Sequence, residues 1–215
     1  FSESGCCKMS IIGLGIVLIV FNLRGMKESI KVLLPIFLGF ILTHAFLIAY
    51  GIVAHAEGLP QLIPDTIVET QQLTQQMGWV FAASLFLRAY SLGGGTYTGL
   101  EAVSNNVNML SEPRVRTGKY TMFYMACALS FTAGGIILLY LLWNVQPVPH
   151  QTLNAATFNA IIASWQLDPT LSHGLLAVVL LLEAGLLFVA CNTGFLGGPT
   201  VLANMAVDSW VPRQF

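Results

Sequence analysis

Gly93-Gly94-Gly95-Thr96-Tyr97-Thr98-Gly99-Leu100-Glu101 sets three consecutive glycines and then a lone carboxylate inside a long apolar run. Glycine weakens a helix, and a bilayer interior tolerates irregular backbone only where it lines a cavity. Carbonyl and amide groups freed at such a break need partners other than lipid, and a dehydrated cation suits the carbonyls. Close helix packing also recruits small residues, but three glycines in a row exceed what packing requires. The pattern predicts an unwound hinge that forms an ion or solute site.

Beyond the break, Thr98, Glu101, Asn105, Asn108 and Glu112 follow at spacings of three, four, three and four, which predicts one polar helix face. Such a stripe is costly against lipid and natural along a water-accessible path; interhelical hydrogen bonding is the plainer use. Glu101 is the most informative member. Burial disfavours its charged form, which makes it a candidate proton carrier. Thr98, one turn earlier, offers hydroxyl and carbonyl oxygens.

A second intramembrane acid, Glu183, stands in Leu180-Leu181-Leu182-Glu183-Ala184-Gly185, where its helical neighbours are apolar or small. Its partner must come from another segment. Two roles fit it equally: a proton or cation group, or a structural carboxylate kept neutral and hydrogen-bonded. A histidine is the side chain whose type suits a proton switch, yet His44 beside Thr43 reads first as a neutral hydrogen-bonding residue. Pro35 and Pro199 each remove a backbone donor and are expected to kink or end their helices.

The elements that must hold these residues are membrane spans. Hydrophobic residues make up 55% of the chain and charged residues 9%, with a mean hydropathy of +0.73, whereas a soluble domain carries roughly a quarter charged residues. Apolar segments predict about five spans, at about 9–23, 30–54, 78–110 (broken near 93–99), 118–143 and 174–207, in a single all-α polytopic domain. The connections at 56–77 and 144–173 are polar and lack Lys and Arg. In the second, Leu153, Phe158, Ile161, Ile162 and Trp165 recur at helical spacing and predict a short helix that packs on the membrane surface or plugs an outer vestibule.

Arg24, Lys27 and Lys31, then Arg114, Arg116 and Lys119, then Arg213 all fall on one side if the segments alternate; Lys8 and Arg88 do not. The positive-inside rule makes that side cytoplasmic and the protein a multi-pass component of the plasma (inner) membrane. Arg88 either snorkels to the outer interface or meets a carboxylate in the bundle.

Several classes are set aside. A net charge of −1 with no dense basic cluster gives no footprint for nucleic acid. Cys6, Cys7, Cys127 and Cys191 lack metal or redox spacing and read as apolar filler. No nucleophile with its base, Walker-type loop or HExxH motif supports an enzyme, and no resident cofactor is expected. The chain starts at Phe1, not Met, and reads as an internal piece of something longer.

Three blocks carry a family resemblance: Asn22-Leu23-Arg24-Gly25-Met26-Lys27-Glu28-Ser29; Thr96 to Asn105 with Glu112-Pro113; and Asn192-Thr193-Gly194-Phe195 continuing through Asp208 to Pro212-Arg213-Gln214-Phe215. The chain resembles the amino acid-polyamine-organocation (APC) superfamily, and within it the KimA-type potassium importers. The resemblance implies a LeuT-type fold, of which this sequence would be helices 4 to 8 with a discontinuous helix 6. It implies a cation site at Gly95, Tyr97, Thr98 and Gly99, with Thr98 holding potassium, and proton coupling at Glu101; Asn105 and Glu183 are secondary candidates. Transported potassium and protons, the lipid bilayer, helices 1–3 and 9–12 of a parent chain and a second copy in a homodimer are the expected partners. An amino-acid permease of the same fold and a non-transporting membrane subunit are the competing expectations.

Overall fold

The structure, a computed structural model, describes residues 13, 15, 16, 19, 20, 26–105, 107, 110–212 and 214; the side chains at 26–30, 32, 96–98, 101, 102, 105, 195, 196 and 200 lie outside that description. Among the described residues every regular element is helical. In chain order they are α1 (Met26–Ala54), a 3-10 turn (Ala56–Gly58), α2 (Leu59–Met77), α3 (Trp79–Gly93), a second 3-10 turn (Gly94–Tyr97), α4 (Thr98–Asn105), α5 (Arg114–Leu142), α6 (Leu153–Ala163) and α7 (Pro169–Val207).

Three helical stretches, Leu33–Ala54, Arg114–Leu142 and Pro169–Val207, are long and apolar enough to cross a membrane. The first expected span, at 9–23, lies largely outside the described residues. The expected third is shared among α3, the 3-10 turn and α4, none of which alone reaches the roughly 20 residues a crossing needs.

Two sequence expectations are corrected. The polar connection at 56–77 is largely a helix: most of its residues form α2, with Pro60 in its first turn, where a missing N–H costs nothing, and Pro64 just inside. Pro199 does not end its helix, since α7 runs unbroken through Gly197-Gly198-Pro199 to Val207; likewise α1 continues past Pro35.

The chain divides into two compact units. The unit formed by Leu42–Leu100 and Tyr120–Leu180 has its core in Leu47, Ile48, Leu139, Phe158, Ile161 and Val179. Glycine notches bring its helices together. A Cβ on Gly51 would fall 2.5 Å from Leu139 Cδ2, and one on Gly135 would fall 2.6 Å from Ile48 Cγ2. Rising numbers in α1 therefore meet rising numbers in α5, so the two helices run parallel.

Within a bilayer such contacts hold by dispersion and hydrogen bonding, since lipid is as apolar as the side chains. Several polar groups of this unit are accordingly paired. Trp143 Nε1 donates to Gly51 O at 3.1 Å, the Tyr140 hydroxyl donates to Asn154 Oδ1, and Thr152 Oγ1 caps α6 by accepting from Ala155 N at 3.1 Å. The α6 segment is more than a surface helix. Ala155, Thr157, Phe158, Ile161 and Ile162 are all buried, which makes it a core element of its unit.

The other unit comprises Phe1–Ile41, Glu101–Lys119 and Leu181–Phe215. Its interlock pairs Gly39 with Leu182 and Gly185 with Ile36: Cβ atoms built on the glycines would lie 3.0 Å from Leu182 Cδ2 and 2.5 Å from Ile36 Cγ2. Here rising numbers in α1 meet falling numbers in α7, so these helices are antiparallel.

Candidate functional site

The glycine run interrupts the helix by tightening it. Gly94 N–H bonds to Ser91 O, three residues back, and Gly94 sits at φ −58°, ψ −30°, ordinary right-handed backbone. From Gly94 to Tyr97 the chain is 3-10 helical, and α4 resumes at Thr98. The break is thus a four-residue change of pitch, and the extended, unwound hinge expected from the sequence is corrected to that extent. Bonding three residues back still satisfies carbonyls, and Gly93 and Gly95 both have interaction partners.

Space around the glycines separates their roles. Among the described residues nothing lies within 4 Å of a Cβ built on Gly93, Gly94 or Gly95, whereas one on Gly99 would meet Met125 Cε at 2.9 Å. Helix packing therefore accounts for Gly99 and not for the triplet, whose contribution is a helix that changes pitch at low cost.

In register, Thr98, Glu101 and Asn105 occupy positions one, four and eight of α4, sharing one face. The side chains of Tyr97, Thr98, Glu101 and Asn105 lie outside the described residues, as does Asn108 altogether. The polar face does not reach Glu112. Helix α4 ends at Asn105, and Glu112 stands in the bend before α5, where Pro113 disfavours helical backbone at the residue before it. Its carboxylate meets Arg114 instead: Oε1 lies 3.0 Å from Nε, and Oε2 accepts from the backbone N–H at 3.3 Å. Both side chains are exposed, so this is a surface pair at the head of α5.

Glu183 is half-buried and follows Leu182, the residue that fills the Gly39 notch, two positions before Gly185 receives Ile36. The interlock with α1 therefore brackets the acid, and Glu183 has an interaction partner. Nine residues on, Asn192 is buried to 4% exposure, again with a partner. Sequence reasoning placed Asn192 in a motif but did not select it as a site residue; the available signal was an amide in the middle of a long apolar helix.

In the unit built on Leu42–Leu100, His44 is fully buried. Its Nδ1 lies 3.3 Å from Thr43 Oγ1, and its ring stands edge-on to Phe158 at 5.1 Å. That environment fits the hydrogen-bonding role expected from the sequence. Arg88 is exposed. Trp165 Nε1 is buried with no acceptor, its ring held edge-on to Tyr50 at 5.4 Å.

Of the expected site, Gly95, Tyr97, Thr98 and Gly99 belong to one compact unit, and Glu101, Asn105 and Glu183 to the other. The arrangement offers a pitch change in the backbone, a hydroxyl-bearing residue opening α4, and an acid in its first turn.

Residues 2–215 match the family model described as amino acid permease. The chain is also 30% identical over 207 residues to the potassium transporter KimA of Bacillus subtilis (strain 168), an alignment that covers 93% of this chain and 31% of KimA. The chain thus spans less than a third of that relative's length. No solved structure matches it significantly. With a match over nearly its whole length and apolar helices built to cross a membrane, the chain belongs to the amino acid permease family of the APC superfamily of transporters.

Proposed function

We propose that these residues form the central part of a secondary active transporter that imports potassium with protons by alternating access. The observation that carries the reading is the helix interruption at Gly94–Tyr97, followed in the first turn of α4 by Glu101. An acid next to a pitch change couples two events: its protonation alters the local charge, and the backbone beside it rearranges at low cost. Thr98, with Gly95, Tyr97 and Gly99, would bind the cation, and Glu101 would carry the proton. Asn105 and Glu183 are secondary groups on the same path. The similarity to a potassium transporter supports the cargo. The remaining ligands would come from other helices of a parent chain or from a second copy, with the loops that carry Arg24, Lys27, Lys31, Arg114, Arg116 and Lys119 on the cytoplasmic side.

An amino-acid cargo is the second reading, supported by the description of the matching family. There the amides at the interruption would receive the substrate carboxylate, and Glu101 would have to be protonated to sit beside it.

The test is growth of potassium-uptake-deficient cells at limiting potassium. The full-length protein carrying this sequence is compared with Glu101→Gln at matched expression. Rescue by the wild type alone supports proton-coupled potassium import. Failure of a well-expressed wild type, with uptake of a labelled amino acid into vesicles, replaces it with the permease reading.

A further inference from the structure

Helix α2 has no part in the proposed transport site, and its two faces differ in kind. On a wheel of 3.6 residues per turn, Leu59, Leu62, Ile63, Ile67, Leu73 and Met77 fall within about 140° of arc. The opposite side carries Gln61, Asp65, Glu69, Gln72, Gln75 and Gln76, with Val68 its one large apolar side chain. None of the helix is buried, and Ile63 and Ile67 are 72% and 51% exposed.

Three threonines lie on the apolar side, and their hydroxyls are already spent. Thr66 Oγ1 donates to Leu62 O at 2.7 Å, Thr70 Oγ1 to Thr66 O at 2.7 Å, and Thr74 Oγ1 to Thr70 O at 2.6 Å. Each hydroxyl turns back onto the carbonyl four residues earlier, so the face presents methyl groups and leaves no donor to be desolvated.

From these features we propose that α2 lies in the membrane interface, its Leu59–Ile63–Ile67–Thr70 side seated among the acyl chains and its glutamine side in water. Tethers and charge select lipid over a protein partner. The candidate span Leu33–Ala54 ends just before α2, with only the turn at Ala56–Gly58 between them, and α3 follows directly after Gly78. The start of the helix is thereby held where a candidate span ends, at the bilayer surface. Past Gly78, at φ +84°, the exposed apolar surface continues into Trp79, Val80 and Phe86 of α3, and an exposed Trp at a helix entrance is an interfacial anchor. The helix contains no Lys or Arg and two acids, so the surface it fits is neutral, zwitterionic lipid and not an anionic leaflet.

The test uses the full-length protein in phosphatidylcholine vesicles, with Cys6, Cys7, Cys127 and Cys191 replaced. A nitroxide is placed singly at 61, 63, 67, 70, 72 or 75, and collision with oxygen is compared with collision with a water-soluble nickel chelate. The oxygen-to-nickel ratio is expected to be several-fold higher at 63, 67 and 70 than at 61, 72 and 75. Equal nickel access around the helix overturns the proposal. So does shielding of 63 and 67 from both probes, the result a protein occupant such as a second copy would give. Should a label at an apolar position prevent folding, carbene photolabelling of the unmodified protein reads the same faces. A lipid-phase reagent then marks Ile63 and Ile67, and marking confined to the glutamine side refutes the assignment. Neither measurement depends on what the protein transports.

Discussion

Ile36 occupies the space that any side chain at position 185 would need: a Cβ on Gly185 would fall 2.5 Å from Ile36 Cγ2. Ile36 is β-branched and stiff at χ1, so it yields poorly. Gly185→Ala is expected to destabilise the purified protein by about 1–3 kcal/mol, with Gly39→Ala milder because its Cβ would meet a Leu182 methyl at 3.0 Å. Thermal unfolding of both variants checks the order, and Ile36→Ala added to Gly185→Ala should recover part of the loss. Leu182 and Gly185 bracket Glu183, so the interlock also fixes the height of that acid along α1.

The glycine triplet makes the opposite prediction. Among the described residues nothing stands within 4 Å of a Cβ at Gly94 or Gly95, and the Gly94 backbone is right-handed. The double variant Gly94→Ala, Gly95→Ala should therefore fold with stability unchanged or raised by about 0.5–1 kcal/mol per site. Under the proposed mechanism it should lose most of its transport, because the pitch change becomes harder to make and remake. A transport assay beside a melting curve separates the effects; full transport at raised stability would remove the triplet from the mechanism.

Trp143, just past the C-terminal end of α5, ties that end to α1 through its bond to Gly51 O, with the His55 ring 4.0 Å from its own. Trp143→Phe keeps a ring in place but loses the donor, and is expected to cost about 1 kcal/mol. Gly51→Ala should cost more, since its Cβ would collide with Leu139 Cδ2 at 2.5 Å. Denaturation of the detergent-solubilised protein ranks the two.

Helix α6 is held by its cap and by its buried face. Thr152→Ala removes the acceptor for Ala155 N and should destabilise the helix by about 1 kcal/mol. Hydrogen exchange should speed up first at the amides of its opening turn. Phe158→Ala, at the fully buried centre, should open the whole unit and cost about 3–5 kcal/mol.

Glu112 is expected to be inert. Its pairing with Arg114 is exposed on both sides, and such pairs contribute about 0–1 kcal/mol. Glu112→Gln should leave melting temperature and transport nearly unchanged, in contrast to Glu101→Gln, which should abolish rescue of potassium-limited growth.

Hydropathy and local chemistry, both readable along the chain, account for what sequence alone determined. The apolar runs around Leu33–Ala54, Arg114–Leu142 and Pro169–Val207 are long enough to cross hydrocarbon, and glycine content marked the place where α3 gives way to α4. The family blocks added the kinship with permeases. What escaped depended on contacts that sequence spacing does not encode. The polar connection at 56–77 did not show its helix, because amphipathicity is hidden when threonines fill the apolar face. Pro199 resembled a helix end, yet α7 continues past it. The helix that carries Thr98 ends at Asn105, and Glu112 stands in the bend before Pro113, off the stripe. Pairings such as Ile36 with Gly185 and Trp143 with Gly51 belong to the tertiary structure alone, since a glycine becomes a notch only when another helix supplies the side chain that fills it.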